Sequence, residues 1–321
     1  MDESAAYYEH YLSTTQLAVV KTHFGDGLFT KCDANVGEQV IEDAPLIAYP
    51  LPARHYAHYA TKGKTNGFCF TCLRMFQEGE IPVLCSHHSQ QCLHTYCSEQ
   101  CRDRSWLNGH WLLCLDWNRP AYAYIQALYS EETYSDYVVA EIIAGLISKT
   151  MIMVINGRTY EDAIEHVFKP YKMLFGFTNP VIYKVNLPQK YKKIRSLFQM
   201  STRKLNFIQD EIPIEILDLF VCPEIHSYVM SLIAFNAVAI QDKGIGIYST
   251  LSKLNHSCEP NCNVKFDERC DAILEIEKPV QAGQELYISY IDDKMDRNQR
   301  RKELQEGWGF VCQCTKCQRG E

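Results

Sequence analysis

The sequence has 321 residues, enough for one large domain or two ordinary ones, and 46% of them are hydrophobic, which is sufficient for a core. The formal net charge of −7 at pH 7 argues against nucleic-acid binding, which needs a basic surface, and suits a basic protein substrate. The N-terminal residues lack the order of charged, apolar and small residues that marks a secretion signal. The sequence therefore predicts a soluble intracellular protein, in the cytoplasm, the nucleus or both, that binds no membrane.

The cysteines are the most informative part of the composition. There are 15 of them, and most fall into short paired spacings. Such a number would indicate disulfides in a small secreted chain, but no secretion signal is seen here. Zinc bound in a reducing compartment accounts for them better.

The first predicted elements lie between Leu17 and Pro45, where short β-type runs alternate with glycine turns. This pattern predicts two or three short strands. Gly25-Asp26-Gly27 forms one of the turns. A Gly-x-Gly turn by itself usually marks only a tight hairpin, although glycine also lets a backbone approach a ligand closely because it has no Cβ.

An array of cysteine and histidine residues at metal-ligand spacing follows. Its members are Cys69, Cys72, Cys85, Cys92, Cys97, Cys101, His110 and Cys114. Helical residues four positions apart share one face, as Cys97 with Cys101 and His110 with Cys114 would. Eight ligands are enough for two tetrahedral zinc sites.

One spacing in this array leaves an alternative open. Six residues separate Cys85 from Cys92, and His87 and His88 are among them. Either histidine could replace Cys85 as a zinc ligand. We expect His94 to be a surface residue.

From residue 119 to about 221, apolar residues recur three and four positions apart, which predicts helices, for example over Ile194 to Phe207. The longest apolar run, Val138 to Ile155, contains Glu141 and Lys149, so a buried helix explains it better than a membrane span. Residues 176–193 are rich in Asn, Pro and Lys and are predicted to form a loop.

The last third of the chain is predicted to begin with a helix in the segment from His226 to Ile240. Strands over Ala272 to Glu277 and Glu285 to Tyr290 are expected around the turn at residues 281–284. Arg297 to Leu304 is predicted to be a charged helix.

Two separated motifs close the sequence. Asn255-His256-Ser257-Cys258 is a polar turn, and alone it would be an ordinary loop with a buried thiol about as often as a functional one. The terminal Cys-x-Cys-x-x-Cys provides three thiolates, whereas a structural zinc site needs four ligands. Cys258 is the natural candidate for the fourth.

Together these motifs resemble a known family. Asn255 to Cys258, Tyr290 and the terminal cysteines, in this order, resemble the SET-domain lysine methyltransferases with a post-SET zinc site, and the cysteine-histidine array resembles the MYND zinc finger. The combination is similar to the SMYD family, in its branch without the C-terminal helical-repeat domain or in a form shortened at that end. The resemblance implies an α+β fold: a SET-type β-fold with a pseudoknot, an inserted MYND finger, a helical SET insert and a post-SET zinc site.

The same resemblance implies domain boundaries and ligand sets. The SET N-terminal half would cover residues 1–65, the MYND-type finger 66–117, the helical insert 118–225, the SET C-terminal half 226–303 and the post-SET segment 304–321. Three zinc ions would be held by Cys69, Cys72, Cys97 and Cys101, by Cys85, Cys92, His110 and Cys114, and by Cys258, Cys312, Cys314 and Cys317.

For the active site, the resemblance implies the methyl donor S-adenosylmethionine and a channel for the target lysine. The donor would be bound by Gly25, Asp26, Gly27, Asn236, Asn255, His256, Tyr290 and Phe310. The channel would be lined by Val238, Tyr287 and Trp308. Val238 stands where the family usually has an aromatic residue, which affects the expected width of the channel. Tyr290 is expected to be the catalytic, orienting hydroxyl.

The implied function is methylation of a lysine on a protein such as a histone tail or a ribosomal protein. A protonated lysine has no lone pair, so its burial in an aromatic channel beside the positive sulfur, which lowers its pKa, would prepare it for attack without a side-chain base. The competing hypothesis is a catalytically silent scaffold whose finger docks an extended peptide.

Overall fold

The structure, a computed structural model, describes residues 3–23, 25–52, 67–86, 92–114, 134–174 and 218–321. The chain forms two compact units, one from Met1–Leu46 with Tyr248–Glu321 and one from Ile47–Ile247. The first unit therefore joins both ends of the sequence around a long insertion. The loop predicted at residues 176–193 and the helix predicted over Ile194 to Phe207 lie outside the described residues.

The first unit begins with a helix, α1 (Glu3–Tyr11), that the sequence interpretation did not include. Three strands follow, namely β1 (Leu17–Thr22), β2 (Gly25–Thr30) and β3 (Gln39–Asp43), which confirms the strands predicted in this region. Strands β1 and β2 form an antiparallel hairpin. The Gly-x-Gly segment lies at the start of β2.

The C-terminal part of this unit completes its sheets. Strand β3 pairs with a hairpin of Cys262–Phe266 and Ala272–Ile276, the latter being the central strand. Every second residue of that central strand is fully buried, as expected when one face of a sheet packs on a core. Asn255–His256 pairs in parallel with Tyr287–Ile288, so the strand predicted over Glu285 to Tyr290 is shorter than expected.

The charged helix predicted near the C-terminus is longer than expected, running over Arg297–Trp308. It begins with a capping box in which Asp296 and Gln299 satisfy each other's backbone N–H groups. It ends at Gly309, whose φ of 78° is left-handed. A short helix, Thr315–Gln318, follows.

The second unit contains most of a three-stranded sheet, in which Gly244–Tyr248 lies between Pro45–Pro50 and Ala237–Ile240. The helix predicted near His226 is Pro223–Asn236, capped by Cys222. It ends before the β-branched and apolar residues that form the following strand.

Two helices form the apolar centre of the second unit, Tyr134–Ile155 and Tyr160–Lys172. By length and composition the window Val138–Ile155, with a mean hydropathy of 2.1, could cross a membrane, but 61% of it is buried inside the protein. The helical prediction for this run is confirmed, and its burial is that of a core helix.

The finger region contains a two-stranded sheet, Val83–Leu84 with Thr95–Tyr96, and a helix, Glu99–Ser105. A π-helical turn, Trp106–His110, and a short helix, Trp111–Leu113, come next. Gly109 has a φ of 110°, and a Cβ there would lie 2.5 Å from the backbone carbon of Ala144. Glycine therefore allows this turn to rest directly on the long helix.

We expect Gly109→Ala to destabilise the protein by about 1–3 kcal/mol or more, because the added Cβ meets rigid backbone at a left-handed φ. Gly307→Ala is the matched control, since in the described part of the chain no atom beyond its own helix backbone and chain neighbours lies within 4 Å of a Cβ at that position. The control should leave stability unchanged or raise it. Urea unfolding monitored by circular dichroism measures both, and equal midpoints for the two variants would contradict the packing described here.

Candidate active site

The site in the first unit is built where the β1–β2 hairpin meets the Asn-His segment. The Asn255 side-chain amide donates to the Asp26 backbone carbonyl at 3.2 Å and to Glu285 Oε1 at 2.7 Å. These residues are 229 and 30 positions apart in the sequence. One amide group thus joins the Gly-x-Gly strand, the Asn-His strand and the segment that leads to Tyr290.

Glu285 is a site residue that sequence reasoning missed. One carboxylate oxygen accepts from Asn255, and the other accepts from the Tyr287 hydroxyl at 2.5 Å. A Cβ on Gly27 would lie 2.4 Å from Glu285 Oε1, so a larger residue there would displace the carboxylate that binds Asn255. The hydrogen bond and burial both raise the pKa of Tyr287, burial having the larger effect.

Lys253 is a second residue that the sequence did not single out. Its side chain is only 6% exposed, and its ammonium lies 2.7 Å from Asp26 Oδ2 and 5.1 Å from the centre of the Tyr8 ring. A buried ammonium needs such a partner because desolvation of an unpaired charge is costly. The ion pair provides a second link between the hairpin and the Asn-His segment.

Tyr290 is held at both ends. Its hydroxyl donates to the Leu254 carbonyl at 2.5 Å, and its backbone N–H donates to His256 Nδ1 at 3.1 Å. Its ring lies 5.4 Å, centre to centre, from that of Trp308. Burial, with a smaller contribution from the Glu285 carboxylate, raises the pKa of Tyr290 to about 12, so the hydroxyl stays protonated at neutral pH.

His256 lies between Tyr290 and the cysteine cluster. Its Nε2 is 3.3 Å from Cys258 Sγ, and its ring lies 6.0 Å from that of Phe310. Burial, reinforced by the nearby Arg300 guanidinium, lowers the pKa of His256 to about 4. The imidazole is therefore neutral at physiological pH.

The cysteine cluster of this unit joins Cys258 to the terminal motif. Cys258 Sγ lies 3.8 Å from Cys312 Sγ and 3.7 Å from Cys317 Sγ. The sulfurs of Cys258, Cys312, Cys314 and Cys317 all lie within 4.8 Å of one another. In a tetrahedral site with zinc-sulfur bonds of about 2.3 Å, two sulfurs are about 3.8 Å apart. The four thiols therefore fit one zinc ion.

The finger region brings together two further groups, with the interleaved pairing that the resemblance to the MYND finger implies. They are Cys69, Cys72, Cys97 and Cys101, and Cys85, Cys92, His110 and Cys114. In the first, Cys72 and Cys97 are 3.6 Å apart; in the second, His110 Nε2 lies 3.4 Å from Cys92 Sγ. Cys85 belongs to the second group, while His87 and His88 lie outside the described residues.

The expectation that His94 is a surface residue is wrong. Its side chain is 4% exposed, and its ring stacks between those of Phe70, at 3.9 Å, and His110, at 4.2 Å. This stack supports the ring of a candidate zinc ligand. The spacing of residues in the sequence did not predict this stack, because the three rings come from separate segments.

Two of the expected site residues lie in the other unit. Asn236 is buried at the end of its helix, and its side-chain amide donates to the Leu232 carbonyl at 3.0 Å. Val238 is half-buried in the strand Ala237–Ile240. Their roles toward the methyl donor and the lysine stay predictions.

The chain is similar to several known proteins. Over 87% of its length the chain is 26% identical to a SET and MYND domain-containing protein of Dictyostelium discoideum, 76% of which is covered. Over 92% of its length it is 24% identical to the histone-lysine N-methyltransferase SET5 of Yarrowia lipolytica, of which it covers 62%. The solved structure of Rubisco LSMT bound to AdoMet is 13% identical with a TM-score of 0.42, covering 97% of this chain and 57% of that one. The SET domain model matches residues 25–291, and the chain belongs to the SET domain family.

Proposed function

We propose that this chain is an S-adenosylmethionine-dependent protein-lysine N-methyltransferase. The observation that carries the proposal is the Asn255 amide, which joins the Gly-x-Gly strand to the segment bearing Tyr290. Membership of the SET domain family supports it, as do relatives whose names include SET and MYND domains and histone-lysine methyl transfer. These relatives are covered to 76% and 62% of their own lengths, so the activity of the whole protein is inferred from this shared part.

The residues around the hairpin suit the methyl donor. Apart from its chain neighbours, no described residue has an atom within 4 Å of the position that a Cβ on Gly25 would take, so the described part of the chain leaves space beside the hairpin backbone. Gly25, Asp26, Gly27, Asn255, His256 and Phe310 would hold S-adenosylmethionine there. When bound, this donor supplies an electrophilic methyl group on a positively charged sulfur.

Tyr290 would orient the reacting amine. Because its hydroxyl hydrogen is committed to the Leu254 carbonyl, the phenol oxygen presents its lone pairs to a second partner. A neutral phenol can therefore accept from the target amine and direct the nitrogen lone pair away from itself. Holding reactants in a near-attack geometry can lower a barrier by several kcal/mol, on the order of 7–11 at best.

Deprotonation of the target lysine would follow from the character of the channel. Trp308 and Tyr287 are the proposed lining residues in this unit, and Trp308 packs against the Tyr290 ring. An ammonium that leaves water for an aromatic channel is disfavoured in its charged form, so its pKa falls. A dedicated side-chain base is then unnecessary.

The protein would bind three zinc ions. The donor sets fit because each group offers four cysteine or histidine atoms within 4.8 Å of one another, at the sulfur separations of a tetrahedral site. The ion at Cys258 would pin the Asn-His segment to the C-terminal residues. The two ions of the finger would hold together a region whose secondary structure is short.

The substrate class follows from charge and from the relatives. A net charge of −7 suits a basic protein segment, and we propose a histone tail or a ribosomal protein as the source of the lysine. The finger would bind an extended peptide of a partner protein. The proposed location is the cytoplasm, the nucleus or both.

The zinc assignment predicts that Cys258→Ala lowers the metal content from three ions per chain to two, because the terminal motif alone has three thiolates. Cys262→Ala is the matched control, since this thiol is equally buried and belongs to none of the three groups. Inductively coupled plasma mass spectrometry of the purified proteins measures the content. Three ions in Cys258→Ala would contradict the shared site.

S-adenosylmethionine should raise the melting temperature, because a ligand that binds only the folded state stabilises it. At 100 times its dissociation constant the gain is about 2.7 kcal/mol. Differential scanning calorimetry with the donor, and with methionine as the control ligand, tests this. A melting temperature that does not change with donor concentration would favour the silent scaffold.

Tyr290→Phe should keep donor binding and zinc but lower kcat for methyl transfer by roughly 100-fold or more, as loss of one orienting or stabilising polar group commonly does. Tyr11→Phe, which removes a hydroxyl bonded to Asp43, is the control and should transfer methyl groups normally. Transfer of labelled methyl to histone and ribosomal proteins is the assay. If Tyr290→Phe transferred methyl groups as fast as the wild type, Tyr290 would not be the residue that orients the amine.

A further inference from the structure

The His256 imidazole contacts two functional groups at once. One ring nitrogen, Nδ1, accepts from the backbone N–H of Tyr290 at 3.1 Å, and the other, Nε2, lies 3.3 Å from Cys258 Sγ. Both nitrogens are therefore occupied by protein groups. Only the faces and carbon edges of the ring are left for a small molecule.

The contact with Tyr290 determines where the ring proton lies. A backbone N–H can only donate, so Nδ1 must carry a lone pair. In a neutral imidazole the proton then lies on Nε2, and it points toward Cys258 Sγ. His256 is thus a donor to a zinc-type thiolate and an acceptor from the catalytic tyrosine.

A zinc centre with four thiolates needs hydrogen-bond donors to its sulfur atoms. Four thiolates around a divalent ion leave two negative charges, and N–H groups that donate to the sulfurs disperse them. Arg300 also donates to this cluster. Arg300 is only 1% exposed, and its guanidinium nitrogen Nη2 lies 3.9 Å from Cys317 Sγ. His256 and Arg300 therefore both approach the same centre.

The position of Tyr290 depends on the segment that contains His256. The backbone N–H of Tyr290 is held by the imidazole, its hydroxyl by the Leu254 carbonyl, and its ring lies 5.4 Å from that of His256. A displacement of the imidazole would therefore move the phenol. Cys258, two residues further on, fixes the other side of the same imidazole.

We propose that His256 is a positioning residue that couples the Cys258 zinc centre to Tyr290, so that occupation of the cysteine site sets the place of the catalytic hydroxyl. The inference rests on the proposed methyltransferase function for its kinetic part only. It also refines the expectation that His256 contacts the methyl donor, because neither nitrogen of the imidazole is free to bind it.

Two substitutions separate the two contacts. In His256→Asn the amide oxygen replaces Nδ1 but the side chain is too short to reach the sulfur. In His256→Gln the terminal amide replaces Nε2 and loses the acceptor for Tyr290. Loss of an outer-shell partner typically costs roughly 10–100-fold in metal affinity or activity.

We expect His256→Asn, which keeps an acceptor for the Tyr290 N–H but loses the link to Cys258, to release zinc to a chelator faster by roughly 10–100-fold and also to lower kcat, because the phenol is no longer fixed to the cysteine site. His256→Gln should retain zinc but show kcat lowered by roughly 10–100-fold with an unchanged KM for the donor. His10→Gln, on the exposed face of α1, is the control for both measurements. If His256→Gln raised the KM for S-adenosylmethionine and left kcat unchanged, His256 would be a residue that binds the methyl donor, and the proposal would be overturned.

Nitrogen-15 NMR of the zinc-loaded protein provides a readout that needs neither activity nor a variant. The proposal requires His256 to be protonated at Nε2 and free of a proton at Nδ1, and the opposite tautomer would overturn it. Wild-type protein that transfers no methyl group would defeat the proposed function alone. The His256 tautomer and the zinc-release rates would still test the coupling in that case. The tautomer is measured on the wild type, so it also remains available if one variant fails to fold.

Discussion

The hydrogen bond from the Asn255 amide to the Asp26 carbonyl is the contact on which the site depends. It brings a hairpin from the start of the chain against a strand from its last quarter. The same amide binds Glu285, and Glu285 in turn binds Tyr287. Since an amide has two N–H donors in a fixed plane, its two acceptors must keep a fixed relative position. Asn255 therefore defines the distance between the hairpin and the Tyr290 segment.

A second layer of contacts makes this arrangement rigid. The Lys253 ammonium and Asp26 form a pair whose lysine is almost fully buried. On the other side, His256 and Arg300 reach the cysteine cluster. Breaking a buried pair by removing one partner leaves an uncompensated charge, so these contacts hold the segment strongly even where their net contribution to stability is small.

Residues whose chemistry depends on spacing could be predicted from the sequence. The terminal motif, Cys312, Cys314 and Cys317, has three of the four ligands of a zinc site and so predicted a fourth elsewhere. In the structure Cys258 lies beside these three cysteines. Glu285, Lys253 and His94 could not be found in this way, because each is defined by burial against a segment distant in sequence. The helix at Arg297–Trp308 exceeded its predicted end because nothing before Gly309 stops it. In contrast, the strand expected over Glu285 to Tyr290 forms two ladder pairs with Asn255–His256, and Glu285 forms a separate bridge with Phe29.

The discontinuity of the first unit has a consequence for how the protein is made. Its two segments, Met1–Leu46 and Tyr248–Glu321, are separated by about 200 residues of the other unit, Ile47–Ile247. On the ribosome the early β1–β2 hairpin emerges without the strands and thiols that later surround it, whereas the intervening unit is complete and can fold as it appears. The Gly-x-Gly strand therefore lacks its contact with the Asn255 side chain until translation reaches the Asn-His segment. Closure of the first unit therefore follows the synthesis of the intervening one.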